Sequence, residues 1–308
     1  MVAHKSSTID KQALVAQLTK ILKKEFGVAP KRESLPVLET LIQAICLENA
    51  RYDAAQIAFD RLRNDFFDWN EVRVSTISEL EPTFEGLEQA EWRALRVRFL
   101  LLYVFDHQYS FDFDALKKKT LELAHKQLTK IKHLTPFARN YLLLHMLGNH
   151  IIPLDDKMCR TAIWLGLLPI GTNEDEGAES LKTVIRKAEA TEFMHLLKCL
   201  SVLPKANVIF DSEFTNANSD EFELTTALER LDDVMSGKAS RRASAAAARQ
   251  LAATEAKAEA AAEAKAAAAK VKVSKKVAEP EAAVKKVAAK SATKEPVVPK
   301  KEAATKKK

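Results

Sequence analysis

Residues 131–168 read IKHLTPFARNYLLLHMLGNHIIPLDDKMCRTAIWLGLL. Apolar residues recur at helical spacing, and the interruptions fall where helices start and stop. One helix ends near Leu134. The break Thr135-Pro136-Phe137-Ala138 follows, and a second helix runs over Ala138–Asn149, with Gly148 placed as a C-terminal stop. A short apolar loop, Ile151-Ile152-Pro153-Leu154, leads to Asp155 and then to a third helix over Asp156–Leu167.

Outward from this stretch the same period continues in both directions. Asp10–Phe26 is amphipathic, with Asp10 as N-cap and Gly27 as stop. Further helices are expected over Leu35–Cys46, Asp53–Asp65, Ser75–Leu80, Glu88–Phe105, Asp114–His133, Ser180–Ala188 and Glu192–Leu203. No stretch alternates with the period of a strand, and glycine and proline are scarce (7 and 10 of 308 residues). The fold class is therefore all-α.

Composition narrows the function. Three cysteines far apart (Cys46, Cys159, Cys199) exclude a disulfide scaffold, a CxxC zinc site and a four-cysteine iron–sulfur site built from this chain alone. His145 and His150 flank Gly148 without a metal-binding spacing, so neither a metal nor another cofactor is expected. The first residues hold no apolar signal core and no run approaches the length of a membrane span, so a cytoplasmic, nucleoid-associated location without membrane contact is expected.

The net charge of +6 conceals two opposite halves. Residues 237–308 carry 19 Lys and Arg against 7 Asp and Glu, hold no aromatic residue, and are 26/72 alanine. Residues 1–236 carry 29 basic and 35 acidic residues. The tail cannot bury enough apolar surface to offset its chain entropy, so it reads as disordered or partly helical. Its recurrent lysine pairs, Lys275-Lys276 and Lys285-Lys286 among them, suit a flexible polycation that binds nucleic acid by counterion release. The plain alternative is a solubilising appendage. The chain thus divides into an N-terminal helix and connection (1–34), a helical body (35–210), an acidic linker (211–236) and the basic tail (237–308).

The body resembles the helix-hairpin-helix DNA glycosylase superfamily, and within it endonuclease III. Leu154-Asp155 stand for the family's Val-Asp at the end of the hydrophobic loop, Lys157 stands where its histidine is, and Arg160 stands at its arginine. Upstream, Leu41–Ala50 followed by Ala55-Gln56-Ile57-Ala58-Phe59 is similar to the family's paired helices, and Asn49 falls on the residue that probes the DNA stack. The resemblance covers about 35–205 and implies a two-lobed helical body acting on double-stranded DNA, as a monomer. It implies excision of damaged or mismatched bases, with Asp155 stabilising the oxocarbenium charge or activating water. Asn49, Thr135, Arg139, Asn140, Lys157 and Arg160 become candidate DNA contacts.

The departures from the family shape the expectation. Thr135-Pro136-Phe137-Ala138 lacks the hairpin glycines that let a phosphate approach the backbone, leaving Thr135 and Arg139 as side-chain substitutes. Asn140 stands where bifunctional members carry the lysine nucleophile, so no lysine-dependent lyase step is expected. The family's iron–sulfur cluster is also absent from the pattern. Each site residue has a plain structural reading beside the functional one. Asp155 also suits an N-cap, Asn49 a C-cap, and Lys157 and Arg160 a solvated helix face. The alternative to a hydrolytic glycosylase is a non-catalytic architectural DNA-binding protein with a histone-like basic tail.

Overall fold

The computed structural model describes residues 3–30, 34–207, 210 and 222–238, with side chains from residue 11 onward. Among these residues there is no strand, and the architecture is all-α. The first helices are α1 (Ala3–Phe26), α2 (Val37–Leu47), α3 (Tyr52–Asn64), α4 (Trp69–Val74), α5 (Ile77–Leu80) and α6 (Ala90–Gln108). They are followed by α7 (Leu121–Thr129), α8 (Pro136–Leu147), α9 (Asp156–Trp164), α10 (Glu174–Leu181), α11 (Ala190–Ser201) and α12 (Ala227–Met235). None of the described helices is long and apolar enough to cross a membrane.

Two sets of helices share one continuous apolar core. Helices α2 to α8 pack mainly on one another, while α9 and α1 both pack on α11. The chain's first helix is thereby brought back to the second set, and Lys23 pairs with Glu192 at 2.6 Å. Buried Trp164, Tyr141, Phe59, Phe84, Phe137 and Phe193 fill the centre. The tail from 239 to 308 lies outside the described residues, including the lysine pairs at 275–276 and 285–286.

The helix starts follow local chemistry. Thr135 caps α8 by accepting from Ala138 N, with Pro136 in the first turn, and Gly148 closes the helix at φ +61°. Thr76 and Glu79 form a reciprocal capping box on α5.

Several boundaries differ from expectation. Asp10 is not a cap: nothing in residues 3–9 is a helix breaker, and α1 runs through it. The single helix expected over Asp114–His133 is two pieces, a 3-10 turn (Asp114–Lys118) and α7, because Thr120 turns extended and caps α7 by accepting from Leu123 N. The acidic run Asn173-Glu174-Asp175-Glu176, for which no helix was expected, opens α10. Asn173 caps it, and three carboxylates favour the positive end of its dipole. Helix α4, capped by Asp68, was not legible from periodicity in so short a run.

The acidic linker expected over 211–236 contains α12, which buries Ala227, Leu231 and Val234. The Arg230 guanidinium donates to the Trp164 carbonyl at 2.7 Å. The segment leading into α12 crosses so close to Gly166 (φ +72°) that a Cβ there would lie 2.6 Å from Leu224 N.

Candidate functional site

A carboxylate that stabilises an oxocarbenium ion on an extruded nucleotide needs an open groove before it. Asp155 is 1% exposed, sealed where α2, α9 and α11 meet. The local sequence explains the placement. Helix α2 is apolar to its last turn, so its C-terminal carbonyls are buried and need donors. Arg93 of α6, itself 2% exposed, supplies them: its guanidinium donates to the carbonyls of Ile45, Cys46 and Glu48. The chain then turns at Asn49 in the left-handed region (φ +53°) and presents that residue's backbone and side chain to the start of α9.

Asn49 and Asp155 cap α9 together. Asp155 Oδ1 accepts from Met158 N at 2.8 Å, and Asn49 Oδ1 accepts from Lys157 N at 3.1 Å. Asn49 N donates to Asp155 Oδ2 at 2.8 Å. A further participant was not foreseen: Lys198 of α11 donates its ammonium to Asp155 Oδ2, and both side chains are fully buried. Burial pushes the Lys198 amine below its ordinary range, with Asp155 opposing that shift.

Glu48 extends the charged cluster. Its carboxylate accepts from Arg96 at 2.8 Å and from the Thr135 hydroxyl at 3.2 Å. Burial raises the Glu48 pKa, Arg96 opposes the rise and Asp155 adds to it. A buried carboxylate is thus bound to the threonine that caps α8.

The remaining candidates are engaged as well. Arg139 is 8% exposed and forks onto Asp175 of α10, with its Nη2 at 2.7 and 2.8 Å from the two oxygens. Asn140 is 1% exposed and donates to the same Asp175 at 3.3 Å. Lys157 pairs with Glu88 at 2.7 Å, and Arg160 is half-buried on α9. The structure brings Asn49, Asp155 and the Lys157 backbone N–H together as a helix-capping knot. Thr135 joins the knot through Glu48, while Arg139 and Asn140 are tied to α10. Thr135 and Arg139, the expected substitutes for the hairpin's phosphate grip, are held here by Glu48 and Asp175.

The signal for Lys198 lies in its surroundings. It is a lone charge in the apolar run FMHLLKCL, a position that needs a buried partner. Among the described residues no group of three or more His, Cys, Asp or Glu is gathered to hold a metal. A cavity of about 800 Å³ lies among α2, α3, α8 and α11, lined by Gln43, Tyr52, Gln56, Tyr141, His145 and His195 among others. Neither Asp155 nor Asn49 lines it.

No family model and no curated protein matches the chain. Solved structures do. A trapped endonuclease III–DNA covalent intermediate, the estranged-adenine complex, is 15% identical over 61% of this chain and 84% of its own, with a TM-score of 0.47. The 8-oxoguanine glycosylase/lyase of Clostridium acetobutylicum, in complex with double-stranded DNA containing cytosine opposite 8-oxoG, is 12% identical over 62% of this chain and 68% of its own (TM-score 0.47). The H. pylori 3-methyladenine DNA glycosylase MagIII, bound to 1,N6-ethenoadenine, is 15% identical over 67% and 97% (TM-score 0.45). These are proteins of the kind that the sequence resemblance names.

Proposed function

We propose that the chain is a DNA-binding protein whose basic segment holds duplex DNA, and whose helical body does not release bases through Asp155. The ion pair of Asp155 with Lys198, sealed from solvent, carries this reading. A carboxylate that stabilises a developing oxocarbenium ion must lie beside the sugar with its negative field available. Here three donors hold the Asp155 oxygens, one of them an ammonium that offsets the charge. The density of Lys and Arg in 237–308 supports the DNA partner. On this reading the protein acts as a nucleoid-associated monomer.

A second reading has one observation in its favour. Asp155 stands at the N-cap of α9 with Asn49 beside it, where the resemblance to the glycosylases puts the catalytic acid. Withdrawal of Lys198 would then free the carboxylate for hydrolytic base release. Asn140 would leave no lyase step.

One experiment separates the two. Duplex oligonucleotides carrying oxidised, alkylated or mismatched bases are incubated with the full chain, and abasic sites are revealed with hot alkali. The first reading expects no base release from any substrate, with intact duplex shifted in a gel and the shift abolished on deleting 237–308. Base release that disappears in Asp155→Asn would overturn it in favour of the second.

A further inference from the structure

A second, smaller cavity of about 520 Å³ runs between the C-terminal half of α6 and α7. Lys119, Lys126, Lys130 and His107 line it, together with Tyr103, and no carboxylate does. Its surroundings are as one-sided. Residues 117–133 hold six lysines and two histidines against the single acid Glu122, within a body that is net acidic over 1–236. Among the described residues no ion pair is formed by Lys119, Lys126 or Lys130, whereas neighbouring Lys117 is tied to Asp114 at 2.8 Å.

Helix stabilisation explains only part of this. Lys126 and Lys130 lie at the C-terminal end of α7, where cations suit the helix dipole. Lys119 precedes the N-cap Thr120 and so stands at the positive end, where a cation is disfavoured. Its ammonium is nevertheless held along the helix by donating to Gln127 Oε1. The wall opposite is rigid: the Tyr103 ring stacks on His107 at 4.1 Å, and His107 Nδ1 lies 2.8 Å from the Tyr103 carbonyl oxygen.

We propose that this groove is a phosphodiester-backbone site, holding a strand of the same DNA that the tail binds. The proposal rests on the DNA-binding reading above and adds a DNA site on the body that this reading does not require. Lys126 and Lys130 are one turn apart, about 6 Å along the axis, so they line the groove lengthwise. A concave, lysine-lined channel admits a strand, whereas a flat bilayer would reach only its rim. The acidic remainder of the body repels a polyanion and steers it to this face.

The test uses the full chain and a fluorescein-labelled 25-base-pair duplex, read by anisotropy across 50–200 mM NaCl. The triple variant Lys119→Gln/Lys126→Gln/Lys130→Gln is compared with a charge-matched control, Lys11→Gln/Lys20→Gln/Lys24→Gln on α1, whose lysines are exposed. Thermal melts establish that both variants fold. The groove variant should bind at least tenfold more weakly at 150 mM, and its salt slope should shrink by roughly 2 to 3, about 0.9 for each phosphate that is no longer neutralised. The control should change less than twofold. Equal behaviour of the two variants overturns the groove while leaving DNA binding intact. A wild-type chain that binds no duplex overturns both the groove and the reading beneath it. A groove variant that keeps DNA affinity but fails to bind phosphatidylserine vesicles that the wild type binds overturns the DNA site and assigns the groove to a membrane surface instead.

Discussion

Replacing Lys198 by methionine removes the ammonium from Asp155 while keeping the volume of the side chain. The variant leaves a carboxylate that is 1% exposed, with two backbone N–H donors in place of three partners. Breaking one side of a buried ion pair costs about 3–5 kcal/mol. The two remaining donors and the N-terminus of α9 keep the figure at the lower end, about 3 kcal/mol. For a body of this size, each kcal/mol lowers the melting temperature by about 2–4 °C, so a drop of roughly 6–12 °C is expected.

The double variant Asp155→Asn/Lys198→Met should recover most of that stability. Asparagine still caps α9, and no unpaired charge is left inside. It should lie within about 1.5 kcal/mol of the wild type, since exchanging a buried pair for uncharged groups is often close to neutral. The assay is urea unfolding of the full chain followed by circular dichroism, with thermal melts alongside. If the single variant is destabilised by less than about 1 kcal/mol, or the double variant by as much as the sum of its parts, Asp155 and Lys198 are not a sealed pair. Asp155 then remains available for catalysis.

Three further outcomes follow from the same geometry. Burial raises the Glu48 pKa in the folded state, so between its unfolded value near 4.5 and the folded one the native form binds more protons, and stability falls as pH rises through that window. Urea unfolding at pH 4 to 8 should show that fall in the wild type relative to Glu48→Gln; parallel curves would contradict it. Gly166→Ala should cost about 2 kcal/mol from the left-handed backbone and the encounter with the backbone at Leu224, and it should raise proteolysis near α12. A cost under about 0.5 kcal/mol would show that the crossing is loose. Burial pushes the thiols of Cys46 and Cys159 up to about 12 and that of Cys199 to about 11. At pH 8 a disulfide reagent should therefore label none of the three rapidly until urea is added, and prompt labelling of the native protein would count against the packing.

The helical class and the elements around the hairpin were legible because their signals are local. Thr135, Pro136, Gly148 and Asp155 each act within a few residues of where they stand, as cap, first-turn residue, stop and cap. The break at Thr120 was not legible, since a run of lysines and leucines continues helical periodicity on both sides of it. Helix α12 was hidden by acidic composition, although Ala227, Leu231 and Val234 carry a helical stripe. The knot at Asp155 lay further out of reach. It joins residues 43 and 106 positions apart in the chain, and periodicity cannot report which elements meet. Nor does a motif say whether its acid looks outward. The lone charge Lys198 in the apolar run of α11 was the available clue, because it must find a partner wherever its helix packs.

The capping knot also decides how the two helix sets can move. Asn49, just after α2, belongs to one set, Asp155 and Lys198 belong to the other, and the Asp155–Lys198 pair is sealed from water. A joint of this kind behaves as a rivet. Parting it strips a buried carboxylate of its partners.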